Sequence, residues 1–185
     1  NKSYEKRQAA ATEEKGLIIV HTGSGKGKST AAFGMLLRAV HHGLKCGVVQ
    51  YVKGSIPSGE TEMFKSFGDA VEWHRMGEGF SWITQDKDLD RQAAEKAWEK
   101  SRELMDRPDI GMVILDEINV AVRLGQLQLD AVIEALENKR EMLHVVLTGR
   151  GAKDELIELA DLVTEMKMVK HPYRAGIKAQ KGVEF

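Results

Sequence analysis

The most constraining stretch of this chain is a wholly apolar tetrapeptide, Leu17-Ile18-Ile19-Val20, with the turn Thr22-Gly23-Ser24-Gly25-Lys26-Gly27-Lys28-Ser29-Thr30 close behind it. A short run without a polar position fits a strand buried on both faces. From about Lys28 to His42 the pattern turns helical, and Gly43 supplies the stop. Strand, glycine-rich turn and helix in this order form a cradle whose backbone N–H groups converge on one point.

Such a cradle fits a phosphate. The helix N-terminus adds partial positive charge. Lys28 supplies a full charge to the phosphates, and the Ser29 hydroxyl is placed to ligate Mg2+. Gly23, Ser24, Gly25, Lys26, Gly27, Lys28, Ser29 and Thr30 are therefore the expected nucleotide-binding residues, with Lys28 also assigned a catalytic part. The match to G-x-x-x-x-G-K-[ST] is imperfect, because Thr22 stands where the pattern has its first glycine. Gly23 is the nearest glycine, so the loop is one residue tighter.

Further apolar runs are Val48–Val52, Ala70–His74, Met112–Leu115, His144–Leu147 and Leu162–Val169, each read as a strand. Helices are expected from Asp86, as N-cap, to about Asp106, from Leu129 to Glu137 and from Asp154 to Ala160. Alternating strands and amphipathic helices imply an α/β fold, a mostly parallel sheet with helices on both faces. Ligands collect at the carboxyl ends of strands in such folds. Four clusters fall there: residues 23–29, the loop after Val52, Asp116-Glu117, and Thr148-Gly149-Arg150-Gly151.

Asp116-Glu117 ends a run of four apolar residues, and a carboxylate there is placed to hold Mg2+ across from the phosphate loop. Ser29, Asp116 and Glu117 are the expected metal residues. Either acid can be the inner ligand, and Asp116 can equally serve as a helix cap. Arg150, between two glycines, can contact the bound ligand, or serve as a cap or surface ion pair. The six histidines show no ligand spacing and are read as structural or surface residues.

Composition narrows the class. The 185 residues fit one domain, with 42% hydrophobic content for a core and a net charge of −1 that gives no basis for binding nucleic acid or an anionic membrane. One cysteine, Cys46, forms no internal disulfide or zinc site and is expected to be a buried, inert thiol. No run reaches a membrane span and no apolar leader is visible, so a cytoplasmic protein is expected. Residues 1–15 are charged and Ala-rich with little apolar face, and residues 16–185 form the expected domain, with a polar tail from about Lys170.

Several segments together resemble the P-loop ATP:corrinoid adenosyltransferases, over nearly the whole chain. They are Thr22 to Gly34, Gly47-Val48-Val49-Gln50-Tyr51-Val52-Lys53-Gly54, Gly79-Phe80-Ser81-Trp82-Ile83-Thr84-Gln85, Val113 to Glu117, Leu147 to Gly151, and the tail Val169 to Gly182. The G-F-x-W-x-T-Q segment and the tail are the specific ones, since no general feature of P-loop folds demands them. Departures are conservative: Ser29 for the commoner Thr, Phe185 for Tyr, and Asn119 after the acids.

The resemblance implies a RecA-like P-loop NTPase architecture and transfer of the 5′-deoxyadenosyl group of ATP to Co(I) of a corrinoid, with tripolyphosphate released. It also implies a reversed ATP orientation, a homodimer and an electron-donating reductase partner. Phe80 and Trp82 become catalytic candidates, as apolar rings that displace cobalt's lower axial ligand. Residues 1–15 become a helical lid over the corrin. An ordinary P-loop ATPase or kinase, releasing phosphate or moving a phosphoryl group, is the alternative; a non-catalytic carrier is a third.

Overall fold

The computed structural model describes residues 10–51, 59–75 and 87–184. Six strands form one sheet: β1 (Ile18–Thr22), β2 (Lys45–Gln50), β3 (Val71–Arg75), β4 (Ile110–Asp116), β5 (His144–Thr148) and β6 (Leu162–Glu165). Their order is β3-β2-β4-β5-β1-β6. All five pairings are parallel. The helices are α1 (Lys28–His41), α2 (Gly59–Lys65), α3 (Lys87–Asp106), α4 (Ile118–Arg123), α5 (Leu129–Glu137) and α6 (Asp154–Leu159). The expected α/β class with helices on both faces is the observed one.

Strand alternation sorts the apolar side chains into two cores. Ile19, Val48, Ile114 and Val146 face α1 and α2, meeting Phe33, Leu36 and Phe64. Val20, Val113, Leu115 and Leu147 face the opposite way, onto Leu104 of α3, Ile118 of α4 and Leu136 of α5. Full burial of side chains such as Leu36 and Leu115 contributes about 2 kcal/mol each, which anchors both helix layers to the sheet. Helix α1 ends on Gly43 at φ 82°, with Leu44 N–H donating to Ala39 O at 3.0 Å and Gly43 N–H to Val40 O at 3.0 Å. That is the glycine-terminated stop expected from the sequence.

Several elements depart from expectation: α2 is not among the expected helices, β4 starts at Ile110 two residues before Met112, β2 ends at Gln50 short of Val52, and three further departures have a physical reason. Strand β2 begins at Lys45, three residues before Val48. Gly47 hides its first half, since glycine weakens a strand pattern; a Cβ there would lie 2.9 Å from Leu104 Cδ1, so α3 needs the space. Strand β6 stops at Glu165 instead of running to Val169, because Met166 leaves the ladder to close on the phosphate loop. Helix α4 is absent from the sequence-based expectation. Ile118-Asn119-Val120-Ala121-Val122 is rich in β-branched residues, and burial of Ile118, Ala121 and Val122 overrides that preference.

Cys46 is buried, and burial pushes its thiol up to about 12, so it is inert as expected. No helix among the described residues is long and apolar enough to cross a membrane.

Candidate active site at the phosphate loop

Residues 23–27 connect β1 to α1, and the chain after β6 explains why this loop is tight. Met166 N–H donates to Thr22 O at 2.9 Å, and Met166 O accepts from Gly25 N–H at 2.6 Å. A Cβ on Gly23 would collide with Met166 O, and one on Gly25 would lie within 2.8 Å of the same atom. The loop is thus sewn to the sheet edge from outside. Gly27 precedes α1 at φ 104° with no side-chain cap, and the first turn of α1 carries no acid. The open N–H groups and the helix field are therefore available to an anion.

Lys28 is 7% exposed, and its Nζ donates to Gly25 O at 2.5 Å, inside the cradle. Burial lowers its pKa first of all; Glu117 pulls it up, while Arg150 and Lys26 push it down. Lys26 and Thr30 are exposed, and Lys26 pairs with Glu184 of the tail.

The carboxyl ends of the central strands place a polar group at each neighbouring position. Gln50 pairs in register with Asp116, and His21 with Thr148. Asp116, 4% exposed, is gripped by three donors. Ser29 Oγ donates to its Oδ1 at 2.6 Å, Thr148 Oγ1 to the same oxygen at 2.8 Å, and Gln50 Nε2 to its Oδ2 at 3.0 Å. Trp73 Nε1 holds Gln50 Oε1 in turn, at 3.3 Å. The two oxygens of the carboxylate accept all three of these hydrogen bonds without conflict.

Glu117 turns away from the strand at φ 64°, the single non-glycine with positive φ among the described residues. Its N–H donates to Thr148 Oγ1 at 2.9 Å. A left-handed glutamate costs about 1 kcal/mol or more and persists where surrounding structure enforces it. Burial and then the charge of Asp116 raise its pKa, opposed by Lys28, Arg150 and Arg123. Gly149 leaves the room: a Cβ there would meet Glu117 Oε2 at 3.1 Å.

The oxygen set formed by Ser29, Asp116 and Glu117 fits Mg2+, which takes one or two carboxylates and fills its shell with water and phosphate. No group of three His, Cys, Asp or Glu side chains suited to a metal exists among the described residues. His21 lies buried with both ring nitrogens unpartnered, and burial lowers its pKa.

The structure therefore brings Lys28, Ser29, Asp116, Glu117 and Arg150 to one end of the sheet. Phe80 and Trp82, with residues 1–9, lie outside the described residues. Three participants, Gln50, Arg123 and Met166, escape the reading of the sequence, and Thr148 enters it only as a member of the cluster that closes β5. Gln50 and Thr148 end β2 and β5, and their strand-end position is the available signal. Arg123 and Met166 carry none, because their roles arise from contacts with distant segments.

This fold and loop define a P-loop α/β protein of the RecA-like kind. The crystal structure of the RadB recombinase superposes with a TM-score of 0.50 at 12% identity, covering 90% of this chain and 81% of that one. The family profile described as ATP:corrinoid adenosyltransferase BtuR/CobO/CobP matches residues 14–185. The chain belongs to that family. It is similar to the corrinoid adenosyltransferase of a Sinorhizobium species, with 56% identity over 98% of this chain and 86% of that protein. The Pseudomonas aeruginosa protein of the same description is 51% identical, over 98% and 89%. The Escherichia coli K12 protein is 43% identical, over 97% and 90%.

Proposed function

We propose that this chain transfers the 5′-deoxyadenosyl group of ATP to the Co(I) centre of a corrinoid and releases tripolyphosphate. The observation that carries the reading is family membership across residues 14–185, a span that includes the phosphate cradle and the acid-bearing strand end.

In this reaction the cobalt electron pair forms the Co–C5′ bond while the C5′–O bond breaks. The bond electrons leave on the tripolyphosphate, so no side chain acts as nucleophile. The protein's work is orientation and charge stabilisation. Lys28 and the N–H groups of residues 23–28 hold the phosphates. Arg150 adds a guanidinium at the end of β5. Ser29 and Asp116, with Glu117 beside them, would hold Mg2+, which would supply positive charge to the leaving group. Of the two acids, Asp116 is the one that accepts a hydrogen bond from Ser29.

Phe80 and Trp82 come after β3 in the chain and serve as the apolar seat that keeps an axial base from cobalt. Residues 1–15 close over the corrinoid. The enzyme works as a cytoplasmic homodimer supplied with electrons by a reductase.

The test is incubation of folded protein with ATP, Mg2+ and chemically reduced cobalamin. A light-sensitive adenosyl product with intact tripolyphosphate is expected. Release of inorganic phosphate instead would reassign the chain to the ATPases. Phe80→Ala and Trp82→Ala should spare transfer to pre-reduced Co(I) and impair the route from Co(II) with a weak reductant.

A further inference from the structure

A groove of about 600 Å³ runs along the side of the phosphate loop away from β4, with Thr22, Gly23 and Ser24 as its near lip. Arg123 and Arg150 line it, coming from the end of α4 and from the turn after β5. Ile157 and Val163 form an apolar part of its wall, and Glu165 is the one carboxylate lining it among the described residues.

We propose that this groove is the subsite for the far end of the triphosphate, with Arg123 as a phosphate-binding residue opposite Arg150. The proposal deepens the adenosyltransferase reading and rests on it for the identity of the ligand.

Three observations carry it. The groove is continuous with the loop that cradles the phosphates, so a polyphosphate leaving the cradle on this side enters it without a bend through protein. The turn is shaped around Arg123: Gly151 sits at φ 68°, and a Cβ on it would come within 2.7 Å of Arg123 Cδ. Neither guanidinium takes part in a hydrogen bond or ion pair among the described residues, although both act on Glu117 at longer range. Two forked donors with unused N–H groups match phosphate oxygens, whereas a neutral purine on the apolar wall would leave both without an anionic partner.

The experiment is calorimetry on the full chain with sodium tripolyphosphate and, separately, adenosine and cobalamin, for wild type, Arg123→Ala and Arg123→Lys. Tripolyphosphate affinity should fall roughly tenfold in Arg123→Ala, the loss of one charge-assisted contact, with partial recovery in Arg123→Lys and adenosine affinity unchanged. Unchanged tripolyphosphate affinity would overturn the proposal. So would weakened adenosine binding, which would make the groove a base site, or weakened cobalamin binding alone, which would make it a corrinoid site. Wild-type tripolyphosphate binding that depends on Arg123 stands even where no adenosyl product forms, so this inference and the proposed reaction fail separately.

Discussion

Ser29 Oγ lies 2.6 Å from Asp116 Oδ1, joining the first turn of α1 to the end of β4 across 87 positions of sequence. The same oxygen accepts from Thr148, and the other from Gln50. Asparagine at 116 would offer one acceptor and an NH2 to these three donors, leaving at least one buried donor facing another. Asp116→Asn should cost about 1–3 kcal/mol of stability, read as a shift in urea midpoint at constant slope. Ser29→Ala removes a single donor and should cost under about 1 kcal/mol while abolishing the Mg2+-dependent part of ATP affinity. An Asp116→Asn protein as stable as wild type would refute the network.

Glycine positions in one loop and one helix should respond oppositely to alanine. Gly23→Ala drives a Cβ into Met166 O and must hold φ 97°. It should either open the β6–loop seam or distort the cradle, and ATP affinity should drop at least tenfold by calorimetry. Gly34, in the middle of α1, has nothing within 4 Å of a new Cβ. Gly34→Ala should raise stability by up to about 1 kcal/mol through helix propensity, with ATP binding unchanged.

Glu117 should show stability opposed to function. Burial and the neighbouring Asp116 hold its pKa above the ordinary value of 4.5. Such an acid binds its proton more readily folded than unfolded, so stability is greatest below the unfolded pKa and declines as pH rises through the folded one. Glu117→Gln removes that decline. The variant should melt higher than wild type at pH 8, with the advantage shrinking toward pH 4, while affinity for Mg2+ with ATP falls. Parallel melting curves at every pH would contradict the assignment.

Glu72 gives the reverse sign. Burial raises its pKa, but hydrogen bonds from His74 and Arg107, with their charges, outweigh this and bring it to about 2. Arg107 also holds Asp109, and Lys100 of α3 pairs with Glu72 at 3.4 Å, so the carboxylate fastens edge strand β3 to the end of α3. Its contribution is full above the unfolded value of 4.5 and is lost as pH falls toward 2. Glu72→Gln should lower the melting temperature at neutral pH by a few degrees and flatten the acid limb between those values. An acid limb as steep as that of wild type would place the effect elsewhere.

The residues alone disclose the β1–loop–α1 unit, the Lys28 and Ser29 positions and the acid pair closing β4, because each is written in a local code. An apolar run, glycines at a turn and a helical period act over a few neighbours and do not depend on the rest of the chain. Helix α5 can be read to its ends, Leu129 to Glu137, for the same reason. Strand order, the short β6, helix α4 and the partners of Asp116 lie beyond that code. Each is settled by a contact between distant segments: Met166 on Gly25, Ile118 against the core of the sheet, Thr148 and Gln50 on one carboxylate. Arg123 shows the difference most plainly. In sequence it is a charged residue after an apolar stretch, and only the folded chain brings it beside Gly151 at the mouth of the phosphate loop. Propensity sets what a segment can become; burial and hydrogen-bond satisfaction between segments choose where it goes.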